Sequence, residues 1–370
     1  MDGTLLERPD PTAMLAALER LVVVESPSLD KVRCDACADQ VAALFREHTG
    51  ATAVRHRRPD RGDHLEIRTR DGAEPIVILC HHDTVWPEGT LARLPFRVDG
   101  DRVTGPGSYD MKAGIVQAAF ALAGAKFARP MVVLSTSDEE IGSTSSRRLI
   151  EESARSAVAV LVLEPAATGG AIKTARKGIA DFTVEVDGRA AHAGVEPEKG
   201  ISANEELAHQ ILALKALVDV DQGTTINIGV IAGGTRPNVV PALAHADIDV
   251  RFSRASEAKR VVAAIRSLQP RLPGARLRIS GGVDRPPLER TAGVVRLAQH
   301  AQKLAAELGF PLPETSTGGG SDGNFTAALG VPTLDGLGPD GGGAHADSEH
   351  LLIGSWLLRT LLLRRLIETL

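Results

Sequence analysis

Along the chain, short runs that are almost wholly apolar alternate with longer stretches whose apolar residues recur at helical spacing. IVILC (76–80), MVVLST (131–136) and VAVLVLE (158–164) are such runs, and VPTLDGL (331–337) is a fourth. Strands apolar on both faces are buried on both faces, the habit of parallel sheets sandwiched by helices. Between them lie MKAGIVQAAFALAGAK and STSSRRLIEESARSA, which read as helices, the second capped by serine. The alternation predicts an α/β fold: a mostly parallel sheet covered by helices on both faces.

The middle of the chain reads differently. From about Gly178 to Arg285 the order is strand, helix, strand, strand, helix, strand. The strands are IADFTVEVDG, TTINIGVIAGG, ALAHADIDVRF and ARLRISGG. One helix, SANEELAHQILALKALVDV, opens with a Ser202-x-x-Glu205 capping box, and the other, SEAKRVVAAIRSLQP, stops at Pro270. This β-α-β-β-α-β order is the ferredoxin-like unit. The α/β pattern resumes at TAGVVRLAQHAQKLAAEL, so residues 178–287 read as an α+β domain inserted into a larger one formed by 1–177 and 288–370. A chain of 370 residues is long enough for two such cores.

Composition removes some partners. Net charge is −5 and aromatics are 3%, which offers neither a basic groove nor stacking platforms for nucleic acid. MDGTLLERPDPTAM lacks a basic stretch followed by an apolar run, so no signal peptide is read there. The leucine-rich LLIGSWLLRTLLLRRLIETL is broken by Arg359, Arg364 and Arg365, which predicts an amphipathic closing helix and no membrane partner. Cys34, Cys37 and Cys80 cannot all pair, and a cytoplasmic location is expected. Cys34-x-x-Cys37 sits in a helical pattern without a second pair, whereas a structural zinc site needs four ligands.

Candidate chemistry gathers at strand ends. His81 and Asp83 follow IVILC and, two residues apart in extended chain, point to one side. Glu139 and Glu140 follow MVVLSTSD, Glu164 ends VAVLVLE, and His345 lies shortly after VPTLDGL. Each alone reads as an ordinary strand-end residue. Together they place potential metal ligands at the carboxyl ends of four strands, where open α/β sheets bind ligands. Asp110, between a Gly-Pro-Gly turn and a helix, reads by itself as an N-cap.

HHDTV, GPGSYDMKAG, TSDEEIGS, LVLEPA, GRAAHAG, RPNVVPALAHADIDVR, GGGSDGNF and GGGAHAD occur in that order. Over about residues 20 to 355 the chain resembles the zinc-dependent aminoacylase and carboxypeptidase family, which includes acetylornithine deacetylase, succinyl-diaminopimelate desuccinylase and glutamate carboxypeptidase. The resemblance implies two zinc ions, with cobalt or manganese able to substitute. His81 and Glu164 would hold one, Glu140 and His345 the other, and Asp110 would bridge them. It further implies Asp83 as the partner of the ligating imidazole, Glu139 as general base, and a cis peptide after Asp110. In the inserted domain, a dimerisation and lid domain in this family, His192 matches a residue that stabilises the oxyanion across a homodimer. Asn238 and Arg251 match those that hold the substrate carboxylate.

Mixed imidazole and carboxylate donors suit zinc, and three carboxylates leave two divalent cations a residual positive charge that acidifies water. Two positions depart from the family. Cys80 stands where glycine is usual, and His82 adds an imidazole; strand alternation should turn both away from the metal. The runs Gly318–Gly320 and Gly341–Gly343 fit no phosphate fingerprint and read as loops passing close to substrate.

The expected activity is amide cleavage releasing a C-terminal, glutamate-like amino acid from a peptide or N-acyl conjugate. Alternatives are a small-molecule N-deacylase or desuccinylase of the same family and, with all five ligand positions and Glu139 present, less so a non-catalytic binding protein. Lys173, Arg176 and Lys177 follow Glu164 closely enough to meet an acidic substrate side chain.

Overall fold

The structure, a computed structural model, describes residues 9–370. It forms two compact units: one takes in the chain up to Ala175 with Arg290–Thr317 and Ser321–Leu370, the other Arg176–Glu289 with Gly318–Gly320.

The first unit is built on a six-stranded sheet, ordered Ala53–His56, His64–Arg68, Met131–Thr136, Ile76–His81, Ala159–Val162, Thr333–Leu334. The last four strands run parallel and the first two are antiparallel. Every residue of Ile76–His81, Met131–Thr136 and Ala159–Val162 is buried, so these strands carry no polar face. Alternation divides them between two cores. Ile76, Ile78 and Cys80 join helices Pro11–Val22, Lys31–Thr49, Ala113–Leu122 and Ile353–Thr369. Val77 and Leu79 pack on the other face with Leu149, Ile150 and Phe325. Truncating a fully buried member such as Ile78 to alanine costs about 2–5 kcal/mol. The two antiparallel strands, AVRH and HLEIR, are short and charged, and they escape an apolar-run reading.

Two local expectations are corrected. Ser146 precedes helix Arg147–Ala154 but makes no side-chain cap bond, because its own backbone is already helical. The closing helix Ile353–Thr369 is not amphipathic: it is buried through Arg359–Leu363. Arg359 turns inward and donates to the carbonyls of Gly336, Gly338 and, at 2.9 Å, Gly170. An arginine surrounded by carbonyls satisfies its donors without a carboxylate, so its place in the sequence mimics a polar stripe that the fold does not have.

The second unit is a β-α-β-β-α-β fold with an all-antiparallel sheet ordered Thr225–Gly233, Leu243–Phe252, Gly178–Asp187, Arg276–Arg285. Ala180, Phe182, Val184 and Val186 face a core shared with helices Ala203–Lys215 and Ala255–Arg266. Ser202 caps the first helix, its Oγ accepting the Glu205 N–H at 3.2 Å. Among the described residues, no helix is long and apolar enough to cross a membrane.

Candidate metal centre

His81 is the last residue of its strand and is buried. Its Nδ1–H donates to the main-chain carbonyl of Asp83 at 3.0 Å, which fixes the ring and turns Nε2 toward Asp110 and Glu164. Nε2 lies 3.5 Å from Asp110 Oδ1 and 3.4 Å from Glu164 Oε1. The other Asp110 oxygen, Oδ2, lies 3.3 Å from His345 Nε2, which in turn is 3.2 Å from Glu140 Oε2. Asp110 thus belongs to two donor sets: His81, Asp110 and Glu164, and Asp110, Glu140 and His345, each with its donor atoms within 4.8 Å of one another.

The backbone is shaped around these side chains. The Asp110–Met111 peptide is cis. His345 has φ 62°, a left-handed conformation uncommon for a residue other than glycine and frequent at functional sites. A side chain at Gly338 would begin 2.4 Å from the Leu163 carbonyl and 2.7 Å from that of Glu164, so only glycine lets this loop close over the Glu164 strand end.

Asp83 is fully buried, and its carboxylate does more than face an imidazole. It accepts from Ser28 Oγ at 2.7 Å and from the backbone N–H groups of Glu139 and Glu140 at 3.3 and 3.2 Å. Glu139 and Glu140 share one 3₁₀ turn, Glu139–Ile141. Behind that turn, the N–H of Ser137 donates to His64 Nδ1, leaving Nε2–H to donate to Ser145 Oγ, which donates to Asp138 at 2.7 Å. Burial lowers the His64 pKa and favours the neutral ring that this relay requires.

Charge at the centre is balanced between imidazoles and carboxylates. Burial opposes protonation of His81, but Asp110, Asp83 and Glu164 outweigh it and hold its pKa well above the usual value. Contacts with Asp110 and Glu140 lift His345 to about 11. Burial works against the charge on Asp110, yet the two imidazoles hold it below the ordinary carboxylate range. Burial raises Glu140, with His345 opposing and the Asp110 charge reinforcing the shift.

These residues fit divalent cations. His81 Nε2, Asp110 Oδ1 and Glu140 Oε1 are buried and make no hydrogen bond, which is costly unless something else meets them. Positive ions in the two donor sets would satisfy them, and two imidazoles with three carboxylates and no thiolate suit zinc, cobalt or manganese. Cys80 lies in the core, and His82 turns away to Ser135 Oγ at 3.0 Å; neither joins a donor set.

The remaining predicted residues, Lys173 apart, belong to the second unit. His192 and Asn238 are exposed on adjoining segments, joined by a bridge from His192 to Val239 and by the Ala193 N–H to Asn238 carbonyl bond of 3.0 Å. Arg251, near the end of Leu243–Phe252, grips Asp249 through Nε and Nη2 at 2.6–2.9 Å. Arg176 is buried and donates to the carbonyls of Gly319 and Gly320 at 3.3 and 3.1 Å.

The comparison that decides the family is with carboxypeptidase G2 of Pseudomonas sp. (strain RS-16). The two are 32% identical over 369 residues, spanning 96% of this chain and 88% of that protein. The chain belongs to the M20 peptidase family. It is accordingly a hydrolase of the family's peptidase and amidohydrolase type. Residues 174–270 match the M20 peptidase dimerisation domain. Succinyl-diaminopimelate desuccinylase of Verminephrobacter eiseniae is 31% identical over 80% of this chain and 79% of its own. The fold is shared with the crystal structure of aminopeptidase PepT from Bacillus cereus ATCC 10987, at a TM-score of 0.80 and 23% identity, covering 97% of this chain and 98% of that one.

Several residues that support the site are not marked by the sequence pattern. Ser28 and His64 sit in stretches without a recognisable motif, and Asp138, though within TSDEEIGS, carries no sign there of its link to Ser145 and His64. Lys112, two residues after Asp110, is buried and donates to the carbonyls of Leu21 and Val24 at 3.0 and 2.8 Å. A lysine at a helix start reads as solvated; only the tertiary structure brings it under the end of helix Pro11–Val22.

Proposed function

We propose that the chain is a binuclear zinc carboxypeptidase that releases a C-terminal, glutamate-like amino acid from a peptide or N-acyl conjugate. The observation that carries this reading is the pair of donor sets sharing Asp110, with Glu139 beside Glu140 in the same turn. His81 and Glu164 would hold one ion, Glu140 and His345 the other, and Asp110 both. Bound there, the pair would supply Lewis acidity toward the scissile carbonyl and lower the pKa of a shared water. Asp83 fixes the His81 ring and the Glu139–Glu140 backbone together. Glu139 takes the proton from the attacking water and delivers it to the leaving nitrogen. His192 donates to the developing oxyanion, and Asn238 and Arg251 hold the substrate carboxylate. The match to a dimerisation domain supports a homodimer. Three buried, unpaired thiols, Cys34, Cys37 and Cys80, suit the reducing cytoplasm.

Likeness to a desuccinylase favours a second reading, removal of a succinyl or acetyl group from a small amine. One experiment separates them: zinc content by elemental analysis, with amine release from a panel of N-acyl glutamates, other N-acyl amino acids and succinylated amines. Release of glutamate is the expected result, chelation should abolish it, and zinc or cobalt should restore it. Full turnover in metal-free protein would sink both readings.

A further inference from the structure

Glu349 lies four residues after His345 and is fully buried, yet among the described residues no cation is one of its hydrogen-bond partners. Its carboxylate instead accepts four N–H groups. Oε1 takes the backbone N–H of Tyr109 at 2.9 Å and of Asp110 at 3.2 Å. Oε2 takes the backbone N–H of Gly107 at 3.1 Å and the indole N–H of Trp86 at 2.6 Å. Three stretches of chain meet on one side chain: the loop after His81 through Trp86, the turn that carries Asp110, and the loop that carries His345.

We infer that Glu349 is a positioning residue that sets the Asp110 backbone in register with His345. The inference rests on the metal-site reading above. Asp110 is the donor common to both sets, and metal–ligand distances hold within about 0.2 Å, so a small drift of its backbone disturbs both ions at once. A carboxylate is the right group for the task. It is an acceptor on both oxygens, whereas an amide must present N–H to one of the two donor pairs. These loops are also joined by the exposed Arg93–Asp347 pair, with Arg93 5.2 Å over Trp86, and by strand His350–Leu352 pairing with Arg102–Thr104 ahead of the Asp110 turn. Exposed pairs hold weakly and the ladder ends at Thr104, so Glu349 is the buried group that meets the Asp110 N–H itself.

Ordinary structural loss is separated by a matched control. Glu206, in the second unit, is also buried and accepts the backbone N–H groups of Arg271 and Leu272 at 2.6–3.0 Å. Glu349→Gln, Glu206→Gln and the wild type, each loaded with zinc, are challenged with a colorimetric chelator, and cobalt-loaded samples are compared by visible absorption. Glu349→Gln should speed release of both ions about 10-fold or more and change the cobalt spectrum. Glu206→Gln should lower Tm without changing either. Unchanged release and spectrum in folded Glu349→Gln, or equal changes in both variants, would overturn the inference. If Glu349→Gln does not fold, Trp86→Phe decides: it removes one donor to the same oxygen, and faster release supports the inference while unchanged release overturns it. A wild type that takes up no metal would overturn the metal-site reading itself, a result distinct from metal-loaded protein indifferent to Glu349.

Discussion

Asp83 accepts the backbone N–H of Glu140 at 3.2 Å, while its own carbonyl takes the Nδ1–H of His81. One residue therefore sets an imidazole at the end of one strand and a carboxylate at the end of the next. The two strands are parallel neighbours, with His81 level with Thr136. Their ends emerge side by side, and the buried Asp83 converts that adjacency into a fixed distance between donors.

Glu139 shares the turn with Glu140 but belongs to neither donor set. Glu139→Ala is expected to keep both metals and to lower kcat by at least about 10²-fold, the usual cost of losing a general base. Elemental analysis beside steady-state kinetics checks this. Metal loss in Glu139→Ala, with full occupancy in Glu140→Ala, would reverse the two roles.

Arg251 is engaged by Asp249 before any substrate arrives. If it also holds the substrate carboxylate, Arg251→Ala should lower kcat/KM by about 2–5 kcal/mol for acids and little for the corresponding amides. Equal losses for both would show that the guanidinium serves only Asp249 and the local fold.

Glu257, on helix Ala255–Arg266, accepts from Thr224 Oγ1 at 2.6 Å and from Arg260 of the same helix at 2.7 Å. The Arg260 and Thr224 contacts hold its carboxyl down at about 2, against 4.5 for an unperturbed glutamate. Because the folded pKa is depressed, its contribution to stability is present above about pH 4.5 and is lost as pH falls toward 2. Thermal melts across that window should show a shallower acid decline in Glu257→Gln than in wild type. Parallel declines would remove Glu257 from the account.

A homodimer with His192 acting in its neighbour's site allows two defects to complement. Mixing inactive His192→Ala with inactive Glu139→Ala should restore activity after subunit exchange, toward half that of wild-type dimers. Verified exchange without recovered turnover would rule out action in trans.

The buried parallel strands and the β-α-β-β-α-β order could be read from the chain because both patterns are local and periodic. His81, Glu140 and Glu164 stood out as candidates because each falls at or just after a buried strand; His345 lies in a glycine-punctuated loop beyond Thr333–Leu334, and Asp110 read by itself as an N-cap, so only the resemblance joined it to them. Their convergence on Asp110 is a property of strand order, which periodicity does not encode. The supports were not legible for a related reason. Lys112 and Arg359 are charged residues whose partners are backbone groups distant in sequence, Glu349 adds the Trp86 indole to three such groups, and nothing in the sequence marks those partners. His64 was hidden likewise, in a short charged strand whose role depends on Ser145, 81 residues away.

The division of the chain also orders events on the ribosome. The second unit is nearly contiguous, Arg176–Glu289, whereas the sheet of the first is closed at one side by Thr333–Leu334 pairing with Ala159–Val162. Translation therefore delivers a complete inserted unit while Ala159–Val162 still has a bare edge and His81, Asp110, Glu140 and Glu164 still wait for His345. Domains fold as units and bare strand edges recruit other strands, so this interval leaves the Ala159–Val162 edge open to wrong pairing. A divalent ion that arrived during it would meet only one complete donor set.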